Sequence, residues 1–286
     1  MKQKLLLALL ALFTLGGSNL QAQEDITSQY LTNADLSTED NGWTYYSDAY
    51  KYQAWRTGGE NLTAAVEFYS GWGSLEHEDF KFAQTITLPA GDYRISVNAF
   101  YREGNNGNGT NDNKAWIFAG DNKQNVFALT AEESNVLRNM TSGDDMNDAM
   151  ASFKQGKYNN AFDFSLNEET EITLGFQGKF TTIQSWCILG PVKLYKYSLE
   201  DYLVDYRAKV AEAQALYDSK MNAEILQALK DAVIEESTFS LSSEIIAATN
   251  ILNTAINNAN ASIQKYTELK NYIDEIEAKT ELLDAD

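Results

Sequence analysis

The chain offers almost no thiol or imidazole chemistry: one cysteine, Cys187, and one histidine, His77, in 286 residues. A disulfide needs two thiols, a structural zinc site draws on several Cys and His side chains, and Cys–His catalysis needs both parts together. None of these has its components here. Cations are scarce too, with 22 Lys and Arg against 41 Asp and Glu and a formal charge of −19. A surface this negative repels phosphate backbones and anionic headgroups, which argues against nucleic acid and charged lipid as partners. Glycine-rich phosphate loops are missing as well, because residues 104–109 lack the strand–helix setting such a loop requires. Proline is confined to Pro89 and Pro191, and residues 198–286 contain no Gly, Pro or Trp.

What is present begins with a leader. Lys2 and Lys4 precede an apolar run from Leu5 to Leu15, then Gly16-Gly17-Ser18 and a small-residue stop at Ala22. This is the secretory pattern, and the run is short of the roughly 20 residues a membrane span needs. Residues 1–22 are therefore expected to be a signal peptide, leaving an exported, periplasmic, cell-surface or secreted protein with no membrane span. Without Lys2 and Lys4 the charge becomes −21. A lone cysteine in an oxidising compartment is best explained by burial, and Cys187 sits in the apolar run Trp186-Cys187-Ile188-Leu189.

The grammar changes near Tyr197. All five tryptophans lie before it, as do both prolines and every glycine outside the leader. Residues 23–197 read as an antiparallel β-sandwich. In the clearest strand Tyr93, Ile95, Val97, Ala99 and Tyr101 alternate with Arg94, Ser96, Asn98 and Arg102. Phe100 breaks the polar face, which predicts a second buried surface or a ligand-facing aromatic. Further strands are expected at 63–69, 80–88, 115–119, 126–130, 161–166, 171–177 and 185–197. A long Gly- and Asn-rich loop is expected at 103–113, and a short surface helix at 144–153 with Asp144 or Asp145 at its cap.

Residues 198–286 read as helices. Ser198-Leu199-Glu200-Asp201 approximates a capping box, followed by a stripe through Leu199, Tyr202, Leu203, Tyr206, Val210, Ala213, Leu216 and Tyr217. A second helix is expected at about 222–236, and a third from near Ser243 that nothing interrupts before Leu283. Shifting by 66 residues superimposes Leu203 on Leu269, Tyr206 on Tyr272, Val210 on Ile276 and Leu216 on Leu282. Residues 198–263 are thus read as one three-helix unit and 264–286 as the start of a second, with the expectation that the polypeptide continues.

Particular residues carry a family resemblance. Tyr30-Leu31-Thr32-Asn33-Ala34-Asp35-Leu36 with Asn41-Gly42-Trp43-Thr44 resembles the opening of galactose-binding-like jelly rolls, which include many carbohydrate-binding modules. The likeness continues through Phe82-Ala83-Gln84-Thr85-Ile86, the turn Pro89-Ala90-Gly91-Asp92-Tyr93, and Trp186-Cys187-Ile188-Leu189-Gly190-Pro191-Val192-Lys193-Leu194. It is most similar to copies in exported proteins of glycan-degrading bacteria. The helical half resembles FIVAR-like three-helix spacer repeats. Such relatives often carry a Phe-Glu pair where this chain has Leu36-Ser37, and an Asp pair where it has Gly190-Pro191. The resemblance implies calcium at those acids, and their loss argues against a structural calcium here, so no cofactor is expected.

Sugar rings present apolar C–H faces that stack on flat aromatics, so the tryptophans come first. Trp43, Trp116 and Trp186 lie in apolar runs and are assigned to packing. Trp55 and Trp72 have glycine neighbours and are placed at loop edges, with Tyr101, Arg102 and the loop at 105–108 beside them. His77 stands among acids with no nucleophile near, and the pairs Glu132-Glu133, Asp144-Asp145 and Glu168-Glu169 read as solvated faces. The expected protein is not an enzyme. It is a non-catalytic carbohydrate-binding module on a helical spacer, with ligand residues Trp55, Trp72, Tyr101 and Arg102. The alternatives are a structural or adhesive scaffold that binds proteins at the cell surface, or an ancillary domain of a larger glycan-degrading enzyme.

Overall fold

The computed structural model describes residues 23–37, 42–47, 65–75, 79–138 and 145–283. The leader, Trp55, His77 and Asp144 lie outside the described residues. Two compact units separate after Tyr197. The first contains β1 (Gln23–Asp25), α1 (Thr27–Tyr30), β2 (Thr44–Ser47), β3 (Val66–Tyr69), β4 (Asp79–Leu88) and β5 (Gly91–Arg102). It continues with β6 (Ala115–Ala119), β7 (Asn122–Asn125), β8 (Phe127–Ala128), α2 (Ala131–Arg138) and α3 (Asp145–Lys154), then β9 (Asn159–Leu166), β10 (Thr170–Lys179) and β11 (Trp186–Tyr197).

These strands make the expected sandwich. In one sheet β11 pairs with β5, the outer edge of β11 is shared by β1 and β3, and the far edge of β5 is shared by β9 and β8. The other sheet runs β2-β4-β10-β6-β7. Between the sheets lie the inward residues of β5, from Tyr93 to Tyr101, facing Phe80, Phe82, Ile117 and Phe176. Rings stack there, Trp43 on Phe82 and Phe68 on Phe80, each pair with centroids 4.6 Å apart. Such pairs add about 0.5–1.5 kcal/mol beyond their area. Cys187 is wholly enclosed in this core, and burial pushes its thiol well above the ordinary value.

A second apolar cluster lies on the outer side of the β11–β5 sheet, beneath α2 and α3. Phe100 is its centre, with Trp186 at 5.1 Å, Tyr158 at 5.2 Å and Phe153 at 5.8 Å, all buried or half-buried. This resolves the parity break at Phe100 in favour of a second buried surface. The register of β11 slips between Leu189 and Val192, where Gly190-Pro191 forms an irregularity. Proline is tolerated at such a point because it has no N–H to give the ladder. A side chain at Gly190 would meet the Phe153 ring at 2.9 Å, so the glycine lets α3 close onto the strand.

Besides the short α1 and β2, three further elements of this unit were not expected. β1 is fully exposed Gln-Glu-Asp, and β7 is polar Asn-Lys-Gln-Asn; each is a strand only through its pairing with β11 or β6. The third, α2, carries a readable signal. Thr130 and Glu133 form a capping box, with Thr130 N donating to Glu133 Oε2 at 2.8 Å and Glu133 N donating to Thr130 Oγ1 at 3.2 Å.

The helical unit contains α4 (Glu200–Ala215), α5 (Ala223–Asp231), a 3-10 turn (Glu236–Thr238) and α6 (Ser242–Leu283). Asn222 caps α5, its Oδ1 accepting from Glu224 N and Ile225 N. The helix stops short of the expected Glu236 because the chain turns to meet Tyr206. That hydroxyl donates to Ile234 O and accepts from Ile234 N, both at 2.7 Å, while its ring meets Phe239 edge-on at 5.3 Å. Tyr206→Phe orphans two backbone groups and is expected to cost about 2–3 kcal/mol. The check is thermal melting followed at 222 nm, which the helices dominate, beside tryptophan fluorescence. All five tryptophans precede residue 198, so the fluorescence transition should not shift.

Candidate functional site

The pleat of β5 decides where the expected site residues go. Tyr101 and Arg102 are neighbours and therefore point to opposite faces. Tyr101 is 0% exposed and lies in the core near Phe180, whose centroid is 6.3 Å away. The expectation that it contributes to a ligand surface is not met. Arg102 turns outward, yet only 5% of it is exposed. Its Cζ lies 4.9 Å from the centre of the Trp186 ring, and Nε donates to Gly104 O at 3.2 Å.

Arg102 belongs to a row across three adjacent strands. Trp186 is the Cα partner of both Arg102 and Tyr69, so the three side chains share a face. Trp186 Nε1 donates to Glu67 Oε2 at 2.8 Å on the same side. Beyond Tyr69 stands Trp72, its ring tilted by 51° at 5.2 Å. Trp72 is 74% exposed. Its backbone is held by the loop before β11, where Gln184 N donates to Gly71 O at 2.8 Å and Gln184 Nε2 to Trp72 O at 3.4 Å. The structure thus brings Trp72 and Arg102 onto one aromatic row, excludes Tyr101, and does not describe Trp55.

The loop between β5 and β6 flanks this row and is tightly tied. Asn111 is the hub. Its amide donates to Ala115 O and Val126 O, both at 2.7 Å, and its oxygen accepts from Lys114 N at 2.9 Å and Ala115 N at 2.8 Å. Glu103 is the second tie, ion-paired to Lys114 and accepting from Asn108 Nδ2 at 2.8 Å and Thr182 Oγ1 at 2.9 Å. Burial pushes its carboxyl up, but the hydrogen bonds from Lys114, Asn108 and Thr182 outweigh this and hold it below the ordinary value. A depressed carboxyl contributes stability that is complete above the unfolded pKa and is lost as pH falls through the folded one. Acid should therefore destabilise wild type more than Glu103→Gln, read from urea midpoints at neutral pH and well below the ordinary Glu range.

A second surface lies on the outer face of the β4–β10–β6 sheet, where a shallow depression of about 520 Å³ opens beside Trp116, Phe118, Lys81, Lys123, Thr173 and Gln177. Trp116 is only half-buried, against its assignment to packing. Lys123 Nζ stands 4.6 Å from the Trp116 ring centre and Lys81 Nζ 5.1 Å from that of Phe118. β6 reads Ala-Trp-Ile-Phe-Ala, apolar on both faces. That double pattern was the available sign that one aromatic pair points away from the core.

The resemblance implies calcium ligands at two places, and Glu39 and Asp40 beside the first lie outside the described residues. Leu36 is sealed in the core, Gly190-Pro191 brings no side-chain oxygen, and Asp35 Oδ1 already accepts from Ser37 N and Oγ. Such an ion takes six to eight oxygens. Among the described residues no three His, Cys, Asp or Glu side chains converge, and no helix is long and apolar enough to cross a membrane.

No family model and no curated protein matches the chain. Among solved structures it is similar to TmCBM61 in complex with β-1,4-galactotriose, with 14% identity over 58% of this chain and 97% of that one and a TM-score of 0.30. The xylan-binding module CBM15 follows at 8% identity, 62% and 97% coverage and a TM-score of 0.28. A Stig cyclase, Fisc, from Fischerella sp. TAU stands beside them at 14% identity, 58% and 94% coverage and a TM-score of 0.25. Superpositions this loose assign neither ligand nor activity.

Proposed function

We propose that residues 23–197 form a non-catalytic glycan-binding module of an exported protein, carried on the helical unit, with Trp72 as its primary contact. The observation that carries this reading is the Trp72 ring, 74% exposed on a backbone fixed by Gln184. An indole held open to water gains by stacking on the apolar face of a sugar ring, while the exposed Asn106 of the adjoining loop offers hydrogen bonds to hydroxyls. Trp116 and its polar neighbours supply a second aromatic surface of the same chemistry. A ring stacking there displaces Lys123, which costs about 0.5–1 kcal/mol of cation–π attraction. Affinity for a single glycan is expected on the order of mM to µM.

The test is a glycan-array and affinity-gel screen of the chain from Gln23 to Asp286. Retention by at least one neutral polysaccharide, lost in Trp72→Ala, supports the reading. If no glycan is retained, the sandwich is instead a scaffold that contacts proteins.

A further inference from the structure

The first half of α6 builds the three-helix core through Ile245, Ala248, Leu252, Ile256 and Ala259. The second half packs on none of the described residues, for every residue from 264 to 280 is exposed. Yet it is not polar. Tyr266, Leu269, Tyr272, Ile273 and Ile276 are 44–62% exposed. Four of them, at 266, 269, 273 and 276, follow the 3-4-3 spacing of a coiled-coil seam. The 66-residue echo shows that the face is of a packing kind: Leu269 and Ile276 correspond to Leu203 and Val210 of α4, which pack against the three-helix core. Five large apolar side chains in line on a solvated helix mark an interaction surface.

We propose that residues 264–283 dimerise the protein, packing antiparallel against the same segment of a second copy. Charge selects both the occupant and the direction. With Tyr266 and Ile273 at a and Leu269 and Ile276 at d, the flanking e positions are Lys270 and Glu277, and the g positions are Lys265, Tyr272 and Lys279. In an antiparallel pair e faces e, and the register that sets Ile273 against Ile276 of the second copy also sets Lys270 against its Glu277, twice by symmetry. In a parallel pair g faces the following e, which sets Lys265 against Lys270, a like-charge contact. Lys270 also reaches Asp274 on its own helix at 2.6 Å, so the ammonium would sit between two carboxylates.

Sedimentation equilibrium of the chain from Gln23 to Asp286, up to about 100 µM, tests this directly. The expected result is a reversible doubling of mass. Ile273→Glu with Ile276→Glu should return the monomer mass with the helical signal at 222 nm retained. Lys270→Glu should weaken dimerisation roughly tenfold, and adding Glu277→Lys should restore it. A monomer throughout the range overturns the proposal, and so does a Lys270→Glu variant that dimerises more tightly, the outcome a parallel pair requires. Glycan retention is read separately, so a monomer that still binds glycan leaves the module reading standing.

Discussion

Asn111→Leu is expected to lower the stability of the sandwich by about 3–5 kcal/mol. Four backbone groups bond to this one amide, Lys114 N, Ala115 N, Ala115 O and Val126 O, although Lys114 N also donates to Asn111 O and Ala115 O also accepts from Val126 N. Each buried group left without a partner costs about 1–3 kcal/mol. Asn111 is only slightly exposed, so water can replace part of the network but not all of it. Leucine is close in size, so the loss would not come from a cavity. Urea unfolding followed by tryptophan fluorescence measures the change. Asn111→Asp gives the internal comparison: it keeps the acceptor for the two N–H groups and loses the donor for the two carbonyls, so it should fall between wild type and Asn111→Leu. Equal stability of all three proteins would show that the loop hydrates freely.

Trp72→Ala is expected to weaken glycan binding tenfold or more, about 1.4 kcal/mol or above, while leaving the unfolding midpoint within about 0.5 kcal/mol. The two halves of this expectation have different origins. The ring is mostly in water and among the described residues makes one aromatic contact, with Tyr69, so little packing is lost. Tryptophans that anchor a ligand commonly account for 2 kcal/mol or more. Titration calorimetry on the retained polysaccharide reads the first half and thermal melting the second. Trp116→Ala, measured beside it, apportions binding between the two surfaces. Tyr101→Phe should change affinity by less than twofold, since that ring lies inside the core.

The architecture was legible because two periods are unmistakable. β5 alternates from Tyr93 to Tyr101 with its inward residues wholly buried, and the helices carry stripes free of Gly and Pro. The candidate site was legible only in part. Alternation reports which face a residue takes and says nothing of what later covers that face. Trp186 and Trp116 both sit outward in apolar runs; α2 and α3 cover the first, and no described helix closes over the second. Tyr101 is the opposite case, since its parity with Tyr93 already assigned it to the core while its nearness to Arg102 suggested a site. β1 and β7 have no local signal at all, because long-range pairing alone makes them strands. The cap of α2 was readable in Thr130 and Glu133, and the acidic pair Glu132-Glu133 drew attention away from it.

The enclosure of Cys187 has a practical consequence. A thiol with no solvent contact and a proton held by burial reacts with a maleimide only when β11 leaves its neighbours. The helical unit carries no cysteine, so labelling counts openings of the sandwich and ignores any melting of the helices. At fixed pH, the ratio of the labelling rate to that of a free thiol gives the population of the open sandwich under fully native conditions. The protein thus contains its own clock, set in one unit and silent in the other, against which Asn111→Leu and Trp72→Ala can be timed without denaturant.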